Sequence, residues 1–271
     1  MPGTNQSDTP HPAQESAQLR LSQQQFGPAA QAYASSIYHS QGPDLQWIVE
    51  AAALSGKELV VDVATGTGFT AFALAPHAHE VVGIDVTVPM LEAAQRLATE
   101  RQVTNVRFLQ GDAQALPFAS SSVDLVVCRA SAHHLAQLAR AVQEWVRVLV
   151  PGGKLIVSDS ISPEEPELER FINAIEVLRD PSHFHNYRIS AWLTVLTEAG
   201  LTATLRREWG SVLDVPSWTQ RMQTPPDVVE RIVQRLAHAS PLARERFHIE
   251  QQDGVFSFTL PLALLVGVKP V

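Results

Sequence analysis

Between residues 58 and 160 the chain alternates short apolar, β-branched runs with longer stretches whose apolar positions return every three or four residues. ELVVDV, HEVVGIDV, NVRFLQGD, VDLVVCRA and GKLIVSDS read as five strands. Their nearly continuous apolar character predicts burial on both faces, as in a parallel sheet covered by helices. After the second strand, Thr87 stands where a helix cap belongs, Pro89 fits the first turn, and Met90, Leu91, Ala94, Leu97 and Ala98 follow at helical spacing. A second amphipathic helix carries Val142, Trp145, Val146 and Leu149, and Pro151-Gly152-Gly153 is expected to end it and turn into the fifth strand. The fold class is α/β.

Past residue 160 the rhythm changes. Residues 162–200 and 214–250 read as helices with proline-marked turns, separated by a strand at 201–209. A last strand over 256–269 contains Pro261, which needs an edge position or a bulge. Helical insertions on the carboxyl side of such a sheet can close its ligand crevice, so 162–190 and 214–250 are expected to form a cap. Residues 1–25 are polar and without periodicity and are expected to be a disordered tail, which leaves 26–271 as a single domain.

Composition narrows the function. Twenty-eight acidic residues against 20 lysines and arginines, a formal charge of −8, argue against a nucleic-acid footprint and for a small-molecule substrate. One cysteine, Cys128, excludes a disulfide framework and fits the cytosol. LPLALLVGV at 260–268 is too short to span a membrane, and the first 25 residues lack a targeting pattern. Oligomeric state leaves no mark on the sequence.

The stretch LVVDVATGTGFTA places Gly66 and Gly68 between a strand and a helix, where backbone can approach a ligand and the helix start can offer free N–H groups to an anion. GTGFTA also satisfies G-x-G-x-x-A, so a nicotinamide oxidoreductase stays open. Three acids change the picture: Asp62 before the glycines, Asp85 at the end of the second strand and Asp112 after the third. Together they suit a cationic ligand rich in hydroxyl and amine donors, and they are a poor surround for a pyrophosphate.

Residues 58–160, through DVATGTG, GIDVTVPML, GDAQALPF, VDLVVCRASAHHL and RVLVPGGKLIVSD, resemble a class I S-adenosylmethionine-dependent methyltransferase, in particular the ubiquinone/menaquinone C-methyltransferase-like branch. The resemblance implies a Rossmann-like, seven-stranded, mostly parallel sheet of order 3-2-1-4-5-7-6 with helices on both faces. It also implies S-adenosyl-L-methionine as cofactor. Asp62 and the backbone of Ala64, Thr65, Gly66 and Gly68 would then hold the methionine portion. Asp85 and Val86 would take the ribose, Met90 would pack on adenine, and Gly111, Asp112 and Ala113 would read its edge. Arg129 would border the methionine end, and residues 26–55 would form a helix over the cofactor. Tyr33, or Tyr38 or His39, would meet the carboxylate there, although Tyr33 could equally serve only to pack that helix. Ala64 stands where the family has its first glycine.

Methyl transfer from a sulfonium asks chiefly for alignment and exclusion of water, with a base where the acceptor has a proton to lose. His133 and His134, just after the fourth strand, are the candidates, against the alternative that they only pack and solvate the start of the next segment. His183, Tyr187 and Arg188 are candidates for the acceptor pocket, as are aromatic residues such as Trp192, Trp209 and Trp218 if they are not core. No metal site is expected: His183 and His185 lack a carboxylate or cysteine at ligand spacing. A relative of the fold that binds the cofactor without transferring methyl remains a third reading.

Overall fold

The computed structural model describes residues 12–271. Five parallel strands form one half of the sheet: β1 (Leu59–Val63), β2 (Glu80–Asp85), β3 (Val106–Gln110), β4 (Val123–Arg129) and β5 (Leu149–Ser160). β6 (Thr202–Asp214) and β8 (Val255–Val268) complete it, with β8 antiparallel to both β5 and β6. The order is 3-2-1-4-5-8-6. It matches the expected path except that a short β7 (Glu250–Gln252) pairs as a hairpin with the start of β8, so the sheet has eight strands rather than seven.

Alternate residues of each central strand feed opposite cores. Val61, Val63, Val126, Cys128, Leu155 and Val157 pack with α6 (Leu138–Val148) and α8 (Ile189–Glu198). Val60, Leu125, Val127 and Ile156 pack with α3 (Pro43–Ala52) and α4 (Phe69–Leu74) on the other side. In α6 the buried positions Leu138, Ala141, Val142, Trp145, Val146 and Val148 keep the helical period. The helix ends at Val148, before Leu149, and Lys269 Nζ donates to the carbonyls of Val146 (2.8 Å) and Leu149 (2.6 Å). The Pro-Gly-Gly segment therefore lies inside β5 instead of before it, with Gly152 N–H donating to the Lys269 carbonyl at 2.9 Å.

Pro261 sits in β8, between two strands rather than at an edge. Its carbonyl accepts from Ile161 N–H at 2.9 Å, one residue past the end of β5. Because N and C=O of a strand residue point the same way, the missing donor falls where β5 has run out.

A third core joins the two helical segments expected to form a cap, and no residue of either lines the cavity at the carboxyl ends of the parallel strands. Leu168, Ile172 and Ile175 of α7 (Pro166–Arg179), Val215 and Trp218 of α9 (Val215–Gln220), and Ile232 and Leu236 of α10 (Pro226–Ala237) meet Ala243 of α11 (Pro241–Arg246) and the far ends of β6 and β8.

The amino-terminal expectations need correction. α1 runs Pro12–Ala34, so residues 12–25 are helical and not a disordered tail; residues 1–11 lie outside the described residues. The covering segment 26–55 is not one helix but the second half of α1, a turn α2 (Ile37–Ser40) and α3. α1 packs along α5 (Val88–Glu100). Among the described residues, no helix is long and apolar enough to cross a membrane.

Candidate functional site

Register brings the carboxyl ends of β1, β2, β3 and β4 to one edge of the sheet, and the cavity opens there. Its volume is about 1080 Å³ with the open solvent at its mouth included. Of the cofactor candidates, Tyr33, Ala64, Thr65, Gly66, Asp85, Val86, Met90, Gly111, Asp112, Ala113 and Arg129 line it.

The loop after β1 is held from within. Ala64 (φ +53°), Gly66 (φ +54°) and Gly68 (φ +85°) occupy left-handed backbone, which costs an alanine about 1–2 kcal/mol and a glycine nothing comparable. At Gly68 a Cβ would also come within 2.9 Å of the Phe108 ring. Thr65 N–H donates to Ile84 O (2.9 Å), Gly66 N–H to Asp85 Oδ2 (2.8 Å) and Gly68 N–H to Thr65 O (2.9 Å). These three donors are taken within the protein and are not free for an anion.

The three acids divide. Asp62 lies behind the loop, 1% exposed, and accepts from Thr65 Oγ1 at 2.5 Å. Burial pushes its pKa up to about 7, against the lowering effect of that hydrogen bond and of Arg129. Asp85 faces the cavity and accepts from Gly66 N and from Thr87 N (2.8 Å); burial raises its pKa too. Thr87 occupies the N-cap position of α5, yet its side chain makes no capping bond. Asp112 Oδ1 accepts from Gln114 N–H at 2.9 Å, and Trp145 Nε1 donates to Ala113 O at 2.8 Å, tying this turn to the core of α6. Gln114 Oε1 is buried and has no partner, an acceptor aimed at nothing in the protein.

Arg129 borders the cavity but its guanidinium is engaged: Nε and Nη2 clasp Asp44 (2.5 and 2.9 Å), and Nη1 donates to His39 O (2.9 Å). Tyr33 donates to Met222 Sδ at 3.3 Å and stands edge-on to Phe26. It lines the cavity and packs α1, with its hydroxyl given to Met222. His39 lines the cavity as well, and burial, then Arg129, push its pKa down to about 3. The Tyr38 side chain lies outside the described residues.

Of the two candidate bases, His134 lines the cavity and His133 sits behind it against β5. His183, Tyr187 and Arg188 are not brought to the cavity. His183 bonds Asn173 through Nε2 (2.9 Å), Tyr187 donates to Leu135 O (3.3 Å), and Arg188 pairs with Glu169, which also takes His185 at 3.0 Å. They anchor the loop between α7 and α8. Trp192 and Trp218 are core, and Trp209 packs on Trp47. Cys128 is buried, and its thiol pKa is raised by that burial.

Sequence reasoning missed Gln18, Leu19, Ser22 and Phe26 of α1, Thr67 of the glycine loop, Phe69 at the start of α4, Gln114, and Ala130, Ser131, Leu135 and Ala136 after β4, all of which line the cavity. The spacing of 18, 19, 22 and 26 is one helix face, a faint signal in a polar stretch.

A family model described as a methyltransferase domain matches residues 61–157. The uncharacterised methyltransferase YcgJ of Bacillus subtilis is 36% identical over 246 residues, 90% of this chain and 97% of that protein. Its crystal structure aligns with a TM-score of 0.82, covering 84% of this chain and 98% of its own. A candidate methyltransferase from Bacillus halodurans gives a TM-score of 0.82 at 34% identity, covering 85% of this chain and 100% of its own. The demethylmenaquinone methyltransferase of Thermus thermophilus is 42% identical over 129 residues, 46% of this chain and 58% of that protein.

Proposed function

This chain belongs to the class I S-adenosylmethionine-dependent methyltransferases, and from that premise we propose that its methyl acceptor is a small, apolar or aromatic molecule held at the β4 end of the cavity. Its cofactor is S-adenosyl-L-methionine, which supplies a methyl group on a positively charged sulfur. The cavity residues suit that group. Asp85 and Asp112 are acceptors for hydroxyl and amine donors, Met90 offers an apolar face, and the orphaned Gln114 Oε1 is placed to accept from an amine. Asp85 with Val86 would take the ribose; Gly111, Asp112, Ala113 and Gln114 would read the adenine edge. Tyr33, Ala64, Thr65, Gly66 and Arg129 would border the methionine end, with Asp62 acting through Thr65 and Gly68 through the turn. The nicotinamide and non-transferring alternatives find no support in these likenesses.

The acceptor reading rests on one observation: the parts of α1 and of the segment after β4 that line the cavity bring Leu19, Phe26, Leu135 and Ala136 to it, beside His134 and the polar Gln18, Ser22 and Ser131. The name of the Thermus relative, which states a quinone-type acceptor, supports it. His133 or His134 would take a proton from an acceptor that carries one. The single cysteine fits the cytosol as its compartment. The test is a screen with methyl-labelled cofactor across phenols, quinones, small amines and aliphatic carboxylates. Label in phenols or quinones is the expected outcome. Label confined to charged amines or carboxylates would sink the acceptor class.

A further inference from the structure

The two adjacent histidines after β4 are held in opposite ways. His133 presents Nδ1 to Asp159 Oδ1 at 2.6 Å and its backbone N–H to Oδ2 at 3.2 Å, and Asp159 is 1% exposed. His134 presents Nδ1 to the Ser182 carbonyl at 2.9 Å. A carbonyl only accepts, so that nitrogen carries the hydrogen and Nε2 keeps the lone pair. Asp180 Oδ2 stands 4.0 Å from Nε2, and the two imidazoles are 4.2 Å apart between centroids.

We propose that His134 is the general base of the transfer, working as the Nδ1–H tautomer with Nε2 as proton acceptor, and that the His133–Asp159 pair is the positioning charge beside it. This rests on the methyltransferase reading above. The substrate class it implies is an acceptor that loses a proton in the step: a phenol, an enol or an acidified ring carbon. The acceptor's bond to hydrogen breaks, its electron pair forms the new bond to the methyl carbon, and the methyl–sulfur pair stays on sulfur. The proton goes to His134 Nε2, where the Asp180 carboxylate stabilises the new imidazolium.

The surroundings agree with this division. Burial opposes charge on His133, but Asp159, and beyond it Glu176 and Asp180, raise its pKa, and Asp159 is lowered in return. Burial and then the neighbouring charge on His133 push His134 down to about 4, with Asp180, Ser182 O and Asp159 pulling the other way. The remaining neighbours are His183, held neutral by burial and by the same histidines, and the Phe26 ring of α1, edge-on to His134 at 5.0 Å. The charge that Asp159 favours on His133 keeps the resting His134 neutral, and Asp180, 4.0 Å from Nε2, together with Asp159 offsets the second charge when the acceptor's proton arrives.

The experiment is 15N NMR of the imidazole nitrogens across pH 3–9, with S-adenosylhomocysteine as the probe in the cavity. Expected at neutral pH are a doubly protonated His133 and a His134 protonated on Nδ1 alone. Asp159→Asn and His133→Gln each remove the neighbouring charge and should raise the His134 midpoint by about one pH unit or more, the lost pull of Asp159 being the smaller effect. With an acceptor from the screen, His134→Gln should slow turnover roughly 10²-fold or more with S-adenosylhomocysteine affinity nearly unchanged. Asp159→Asn should move the acid limb of the pH–rate profile upward, which a merely structural role would not do. A His134 protonated on Nε2, a midpoint indifferent to both replacements, or full turnover in His134→Gln overturns the proposal. Failure of the wild type to bind S-adenosylhomocysteine would strike the functional reading instead and leave the tautomers measured.

Discussion

Asp62 and Asp85 end neighbouring strands and carry the same chemistry, yet one is sealed behind the loop and the other faces the cavity. The Asp62 carboxyl, raised to about 7 in the folded chain, holds a proton that the unfolded chain has already released above about pH 4. Folded protein thus binds more protons between those values, and stability falls as pH rises from about 4 to about 7. Asp62→Asn should flatten that part of a melting-temperature profile; a profile unchanged by the substitution would contradict the burial argument. Asp85 is expected to act on the ligand. Asp85→Asn removes the charge from hydrogen bonds worth about 1.5–3 kcal/mol, so calorimetry should find S-adenosylmethionine bound roughly tenfold to a hundredfold more weakly. The order of the three aspartates is legible in the sequence. Which of them is sealed is not, because that depends on how Thr65 folds back within the loop.

At the scale of elements, the alternating strands and α5 follow directly from periodicity, since each buries a face that its own pattern defines. α1 does not. Its first half is polar, and what holds it is tertiary: Gln18 reaches the Ser182 carbonyl, Gln23 Nε2 donates to Val86 O at 3.0 Å, and Gln25 Nε2 to Met222 O at 3.5 Å. A polar helix tied at both the cap and the cofactor loop looks like a disordered tail when only its composition is visible. Phe26 is its apolar anchor, edge-on to Tyr33 (5.6 Å) and His134 (5.0 Å). Phe26→Ala should weaken S-adenosylhomocysteine binding several-fold, losing aromatic pairs worth about 0.5–1.5 kcal/mol each, and should speed amide exchange along residues 18–26. Unchanged exchange there would show that α1 does not depend on this anchor.

Across the whole molecule, two cores sandwich the sheet and a third fills the helical segments within 162–190 and 214–250, so these segments have their own apolar support. Trp218, 2% exposed and edge-on to Phe258 at 5.0 Å, is central to that third core. Trp218→Ala should cost about 3–5 kcal/mol of stability in urea unfolding and loosen residues 214–250 in hydrogen exchange before the parallel strands. Simultaneous loosening of β1 and β4 would mean the cores are not separable. His183, Tyr187 and Arg188 fit the same picture: a polar and aromatic cluster in sequence suggests a pocket, but the fold spends it on joining α7 to α8. By itself the sequence determined the α/β order, the glycine loop, the acids at strand ends and the family, because strand and helix periods and turn residues act over a few positions. Only the tertiary structure decided which side chains reach the cavity, which histidine meets a carboxylate and which a carbonyl, and that a polar leader becomes a helix. Those outcomes depend on partners such as His133 and Asp159, or Gln18 and Ser182, that lie 26 and 164 residues apart and meet only when the sheet and cap are assembled.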